Sequence, residues 1–351
     1  MRVALGMSGG IDSSVAAILL KEQGYEVIGI TLRLWSQTDN FENSNTPQYV
    51  IEAQKLASEI NIEHYVVDVR QKFYDLVITY FNNEYLNGKT PNPCAKCNVV
   101  LKWESLNNFA SQKGCSYIAT GHYVNKTAIG NKFYITKGTD PDKEQSFFLW
   151  GLDQNILKKA LFPLGNYTKP EIREIAKKGG FNGLDLNKES TGICFISNNK
   201  YQPFIENEFK NAGVLPGKGK FVDKNGIIIG EHKGYPFYTV GQRRGLGLEP
   251  IEPYYVTKIE PKTNTIELGQ RDDLYQSEMI VENYNIVDKS DFKTEVITRI
   301  RYRKQSALST IEFIDDNILK VSFVKPEWSI APGQTAVFYK NNRLIGGGFI
   351  K

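Results

Sequence analysis

The 351-residue chain has only four cysteines, a net charge of just +4 and no apolar run long enough to span a membrane. Each shortage excludes something. Cys94, Cys97, Cys115 and Cys194 are too few for a disulfide framework in a chain of this length, so paired cysteines here point to chemistry or metal binding. Met1-Arg2 runs straight into a strand with no apolar core segment behind it. A secretory signal and a membrane partner are therefore not expected, and a cytoplasmic location is. The small net charge says little about nucleic-acid partners, so only the distribution of charge can speak to them. There is no internal repeat and no low-complexity tract. The most telling absence is local: no lysine occurs between Gly6 and Leu20.

That stretch holds Ser8-Gly9-Gly10-Ile11-Asp12-Ser13-Ser14, between an apolar strand, Val3-Ala4-Leu5, and an apolar helical segment, Val15 to Leu20. Two glycines permit a tight turn and close approach to a ligand. The hydroxyls of Ser8, Ser13 and Ser14 can donate to phosphate oxygens, and the helix that follows aims its free amides at the same point. A P-loop that transfers a γ-phosphoryl group carries a lysine reaching the terminal phosphates. A phosphate loop without one suits attack at the α-phosphate, with pyrophosphate leaving. The loop resembles the S-G-G-x-D-S signature of the ATP pyrophosphatase superfamily. That resemblance assigns Gly6, Met7, Ser8, Gly9, Gly10, Ile11, Asp12 and Ser13 to ATP, with Asp12 helping to hold Mg²⁺ on the pyrophosphate. It fixes adenylation as the opening step and leaves the substrate open.

Cys94 and Cys97 form a C-x-x-C within Thr90-Pro91-Asn92-Pro93-Cys94-Ala95-Lys96-Cys97-Asn98. The prolines are expected to keep this stretch out of a helix that resumes after Asn98. Cys97 would then stand near a helix N-terminus with Lys96 beside it, both favouring the thiolate. Cys115 precedes an apolar strand and reads as packing. Cys194, between Ile193 and Phe195, reads in isolation either as a small buried hydrophobe or as a reactive thiol.

Five further motifs follow in order: Ala119-Thr120-Gly121-His122-Tyr123, Lys143-Glu144-Gln145-Ser146, Ser190-Thr191-Gly192-Ile193-Cys194-Phe195-Ile196, Tyr238 to Gly247 with Arg243-Arg244, and Ala331-Pro332-Gly333-Gln334. With the loop and the Pro91-Asn92-Pro93 segment, this series is similar to the bacterial tRNA-specific 2-thiouridylases along the whole chain. The resemblance implies replacement of the C2 oxygen of uridine-34 by sulfur in the tRNAs for Lys, Glu and Gln. ATP would adenylate O2, and Cys97 and Cys194 would be the catalytic pair. Cys194 would receive a persulfide from a cysteine desulfurase or sulfur-relay protein. Its terminal sulfur would attack C2 directly, or Cys97 would free hydrosulfide from it; both leave a Cys97–Cys194 disulfide for a cellular reductant. Leu32 and Gly121 would touch ATP. Asn92, Pro93, Cys94, His122, Lys143, Glu144, Gln145, Arg301, Tyr302 and Gln334 would serve the target base or the tRNA, with uridine-34 extruded into a pocket.

Position 94 departs from the family, where an acidic residue is common. Cys94, Cys97 and Cys194 could instead ligate a [4Fe–4S] cluster or, more weakly, zinc. Two other functions stay open: a different ATP-dependent synthetase of the same superfamily, and a non-catalytic tRNA-binding or sulfur-relay adaptor.

Apolar strands alternate with helical patterns up to about residue 200, at 27–30, 47–60, 65–67 and 117–119, and Pro170 to Ala176 opens a helix capped by Thr168. This predicts an α/β fold whose N-terminal part is a doubly wound parallel sheet. A small central domain and a C-terminal β-barrel follow. The expected boundaries are 1–200 for the catalytic domain, 201–270 for a tRNA-docking domain and 271–351 for the barrel. Period-two alternation over Glu295 to Arg303 predicts a strand with Arg299, Arg301 and Arg303 on one face and Tyr302 between them. Such a basic, aromatic stripe suits backbone contact and base stacking, and Lys218 and Lys220 add scattered charge.

Overall fold

A computed structural model describes residues 1–39, 41, 45–181, 192–196, 200–248, 253–303 and 306–351. Ser190 and Thr191 of the cysteine motif lie outside the described residues.

The N-terminal half is built on five strands, Glu63–Asp68, Glu26–Arg33, Arg2–Gly6, Tyr117–Thr120 and Ala160–Leu161, side by side in that order and parallel throughout. Alternation along the first strand buries its two faces in different cores. Val3 and Leu5 pack with helices Ile11–Glu22, Gln48–Glu59 and Lys169–Lys178, while Ala4 packs with Trp103, Leu106 and Ala110 of helix Trp103–Gln112. Both faces are covered, as the apolar runs predict, and the sheet is doubly wound. The strand order reverses at Arg2–Gly6, which places the phosphate loop at the topological switch point where such sheets bind ligands. Helix Lys169–Lys178 starts where expected: the Glu171 carboxylate accepts from both the backbone amide and the hydroxyl of Thr168.

The segment around the C-x-x-C differs from expectation. A helix begins at Pro93, with the Asn92 side chain accepting from the Ala95 amide, and runs through a π-helical turn, Asn98–Lys102, into Trp103–Gln112. Proline is tolerated at a first helical position because its missing N–H has no intrahelical partner there. Cys97 therefore lies inside a continuous helical run, one turn beyond its start.

A four-stranded sheet, ordered Tyr255–Glu260, Thr265–Gly269, Gly219–Val222 and Ile228–His232, forms the centre of the chain around Phe221, Val256 and Ile266. The C-terminal strands Tyr275–Ile286, Ile318–Trp328, Ala307–Phe313, Val296–Arg299, Thr335–Lys340 and Arg343–Ile350 close into a six-stranded barrel through pairing of Val281 with Ile350. A hairpin from the N-terminal half, Val124–Ile129 with Lys132–Lys137, joins this barrel sheet where Thr136 pairs with Arg343. The barrel is therefore joined to the N-terminal half by a shared sheet. Among the described residues, no helix is long and apolar enough to cross a membrane.

Candidate active site

The phosphate loop turns between strand Arg2–Gly6 and helix Ile11–Glu22. The Met7 amide donates to the Ile30 carbonyl at 2.7 Å and fixes the loop's start against the neighbouring strand. Gly9 has φ +76°, and a Cβ there would lie 2.4 Å from the Tyr49 carbonyl oxygen, so this position needs glycine. The Ser8 amide donates to Ser13 Oγ at 3.2 Å, and the Ser13 and Ser14 hydroxyls donate to the Gly10 carbonyl at 3.0 Å. Gly10 is the N-cap and brings no side chain to the first-turn amides. Gly121 closes the cradle from behind: a Cβ there would come 3.2 Å from the Ser13 nitrogen. Leu32 sits near the end of its strand, partly buried between two apolar clusters.

Asp12 is the second residue of the helix. Its Oδ1 accepts from the Tyr123 hydroxyl and the Lys169 ammonium, each at 2.6 Å. Among the described residues its Oδ2 takes no hydrogen bond, and the carboxylate is 36% exposed, a geometry with room for a divalent cation. Tyr123 reaches further: its amide donates to Gln145 Oε1 at 3.0 Å, and its carbonyl accepts from the Gln145 amide at 3.3 Å. The loop is thus joined through one tyrosine to the segment expected to meet the base. Neither Tyr123 as a link nor Lys169 is legible in the motifs that point to the loop; Lys169 is 157 residues away from its partner.

The fold gathers the cysteines expected to react. Cys97 and Ile193 pack on the same apolar cluster around Phe73, Phe81 and Phe195. Cys194 is exposed at the surface of its turn, yet dense packing around its thiol and the nearby Cys94 and Cys97 sulfurs push its pKa above the ordinary thiol range. Burial pushes Cys97 up to about 11 and raises Cys94 as well. The cation opposing this is Lys102, which pulls all three thiols down. Lys96 instead lies over the Tyr80 ring, 5.0 Å from its centroid. The expected thiolate at Cys97 is therefore not favoured in the free chain, because desolvation outweighs the cation. All four cysteines are free thiols, and Cys115 is partly buried against the core. Among the described residues, no group of three or more His, Cys, Asp or Glu side chains is arranged to hold a metal ion.

Several residues expected at the tRNA are occupied within the protein. His122 is buried, its Nδ1 2.7 Å from the Thr120 hydroxyl and its ring stacked on Trp103, and burial holds it well below the usual histidine range. Glu144 is buried against Arg299 at 3.2 Å. The Lys143 amide is tied to Asp140. Asn92 caps its helix, with Pro93 buried beside it. The basic stripe does not form: the strand stops at Arg299, and the chain bends through Arg301 to Arg303. Arg299 turns inward to Glu144, and Arg301 donates to the Ser329 carbonyl at 2.9 Å and hydroxyl at 2.7 Å while covering Trp328. Arg303 remains exposed, over the Tyr302 ring, and Tyr302 packs on Phe148. Gln334 donates to the Thr90 and Pro91 carbonyls.

Comparison with known proteins covers the whole chain. Residues 1–198 match the family model described as the tRNA methyl transferase HUP domain, residues 204–270 the tRNA methyl transferase PRC-barrel domain, and residues 276–350 the aminomethyltransferase beta-barrel domain. The chain is 43% identical over 353 residues to tRNA-specific 2-thiouridylase MnmA 3 of Phocaeicola vulgatus, covering 99% of this chain and 94% of that one. It is 42% identical over 359 residues to tRNA-specific 2-thiouridylase MnmA of Cytophaga hutchinsonii, covering 100% of this chain and 97% of that relative.

Proposed function

The chain belongs to the tRNA-specific 2-thiouridylase family, and on that premise we propose how its residues divide the ATP-dependent 2-thiolation of tRNA. ATP lies along the loop from Met7 to Ser13, its phosphates on the first-turn amides and the serine hydroxyls. Asp12 is the residue that would hold Mg²⁺, which when bound offsets pyrophosphate charge. The uridine O2 forms a bond to the α-phosphorus, the α–β bridging bond breaks, and its electron pair leaves with pyrophosphate. The target is uridine-34 of the tRNAs for Lys, Glu and Gln, extruded toward Asn92, Pro93, Cys94 and Gln145.

Sulfur then displaces AMP. Cys194 carries the sulfane sulfur as a persulfide, supplied by a desulfurase or relay protein. In one order the terminal sulfur bonds to C2, and Cys97 attacks the Cys194 sulfur, breaking the S–S bond so that its electrons stay with the new thiocarbonyl. In the other, Cys97 attacks first and the freed hydrosulfide bonds to C2. In both, the C2–O2 bond breaks and AMP departs with the oxygen. Two thiols are oxidised to a Cys97–Cys194 disulfide while the sulfane sulfur is reduced, and an external dithiol restores the pair.

One observation supports this division: Cys97 acts on the thiol of Cys194, far away in sequence, while a separate loop at the head of helix Ile11–Glu22 is tied to Gln145 through Tyr123. The test is to separate the half-reactions. Cys194→Ser should release pyrophosphate with ATP and tRNA yet form no 2-thiouridine; loss of pyrophosphate release would make Cys194 a structural residue. Because the protein works on soluble tRNA and needs a reductant, its place is the cytoplasm.

A further inference from the structure

The loop has no lysine of its own, but the fold brings one to it. Lys169 opens helix Lys169–Lys178, which packs against the helix that follows the loop. Its backbone amide is fixed by Asp140 Oδ2 at 2.8 Å, so the start of its side chain is positioned independently of the ammonium. The stem is buried, with the side chain 7% exposed, and the ammonium ends 2.6 Å from Asp12 Oδ1 at the mouth of the cradle. Desolvating an ammonium is costly, and a single partly exposed carboxylate shared with a tyrosine hydroxyl compensates it only in part.

We propose that Lys169 is a phosphate-contacting residue of the adenylation site, parked on Asp12 until a nucleotide arrives. The proposal rests on the reading of the loop as the ATP site. When ATP enters, its phosphate oxygens replace the Asp12 oxygen as the partner of the ammonium, and Asp12 is left free as the residue that would hold Mg²⁺. As the α–β bridging bond breaks and its electron pair moves to pyrophosphate, the ammonium sits where negative charge grows; the proton on uridine N3 is released to water, and no redox partner is needed. Delivery from another helix separates this loop from P-loops, whose lysine is built into the loop and committed to the terminal phosphates. A lysine held by a second element can also respond to the tRNA side, since Tyr123 joins the same Asp12 oxygen to Gln145.

The test compares wild type, Lys169→Met and Lys169→Arg in the full chain, with ATP, Mg²⁺ and unmodified tRNA. Three quantities are measured: tRNA-dependent pyrophosphate release, affinity for inorganic pyrophosphate by calorimetry, and tRNA affinity by filter retention. Lys169→Met should slow pyrophosphate release by about 100-fold and weaken pyrophosphate binding by about tenfold, the loss expected for one charge-stabilising donor. Its tRNA affinity should stay within about twofold of wild type, and Lys169→Arg should recover part of the rate because it keeps the charge. A Lys169→Met protein with wild-type pyrophosphate affinity and a rate within about threefold would overturn the proposal. So would one that loses tRNA and pyrophosphate binding together with its thermal transition, since the lysine would then only hold the fold. A wild-type protein that releases no pyrophosphate would instead sink the reading of the loop, and Lys169 with it.

Discussion

The side-chain amide of Gln334 donates to the carbonyl oxygen of Thr90 at 2.8 Å, tying the C-terminal barrel to the strap that leads into the cysteine helix. The Thr90 amide returns a bond to the Pro332 carbonyl, also at 2.8 Å, and Gly333, at φ +86°, lets the two backbones close on each other. The barrel therefore positions Pro91 to Cys97 as well as extending the surface available to a large substrate. Gln334→Ala should cost ~1 kcal/mol of stability, the ordinary worth of a partly buried hydrogen bond. Thiolation should fall several-fold while ATP affinity stays unchanged. Urea unfolding and single-turnover thiolation measure the two; full activity at normal stability would show that the strap does not need this bond.

A second prediction concerns pH. Burial places the Cys97 thiol at about 11, so the free chain holds it almost wholly protonated at neutral pH. Alkylation of Cys97, followed by peptide mass analysis, should accelerate by about tenfold per pH unit from 7 to 10. A plateau below pH 9 would contradict the buried thiol. The same shift acts on stability. The folded pKa is raised above that of the unfolded thiol, so the unfolded chain loses its proton first. The contribution of Cys97 is complete below the unfolded value, near 8.5 to 9, and is lost as pH climbs toward 11. Cys97→Ala should flatten that alkaline loss.

Arg301 and Arg303 should part company. The Arg301 guanidinium is committed to Ser329, whose own φ is +56°, so Arg301→Ala should destabilise by ~1.5–3 kcal/mol and leave the salt dependence of tRNA binding in place. Arg303 is exposed and, among the described residues, lies over the Tyr302 ring. Arg303→Ala should reduce the salt slope of tRNA binding by about one phosphate contact without changing the melting temperature. Filter binding across a salt series distinguishes them, and the reverse pattern would put the tRNA backbone on Arg301.

These two arginines mark what the sequence could and could not reveal. The turn between strand Arg2–Gly6 and helix Ile11–Glu22 was legible because its features lie in contiguous residues: glycines where the backbone must turn, serine hydroxyls gathered beside them, and a helix behind them. The doubly wound sheet was legible from apolar runs alternating with helical patterns, and the barrel from period-two alternation. The stripe of Arg299, Arg301 and Arg303 followed the same alternation but ran past the true strand end, because nothing local announces that Arg299 turns inward to a glutamate 155 residues away. His122 was placed by its motif, yet its burial under Trp103 depends on a helix that starts elsewhere in the chain. The helix at Pro93 is not legible locally, because a proline pair signals a break unless it is known that Pro93 takes the first helical position with Asn92 as its cap. Lys169 and Tyr123 as partners of Asp12 are tertiary facts, and no local pattern carries them.

Cys94 decides the sulfur chemistry. In the persulfide route it is a half-buried neighbour whose thiol takes no part, so Cys94→Ser should keep most of the activity. Aerobically purified protein should be colourless, and non-reducing mass analysis should find a Cys97–Cys194 link after turnover. If iron and sulfide accompany the active wild type and Cys94→Ser is inactive, the persulfide route fails.

The central claim, that this loop and this cysteine pair together thiolate uridine, is tested most directly by mass spectrometry of nucleosides from unmodified tRNA. The tRNA is incubated with the protein, ATP, Mg²⁺, a reductant and a persulfide donor. The account predicts 2-thiouridine derived from position 34 with wild type. It predicts none with Asp12→Ala, where pyrophosphate release also fails, and none with Cys194→Ser, where pyrophosphate release continues. Unchanged uridine with the wild-type protein, or 2-thiouridine formed at a normal rate by Cys194→Ser from the same donor, would contradict it.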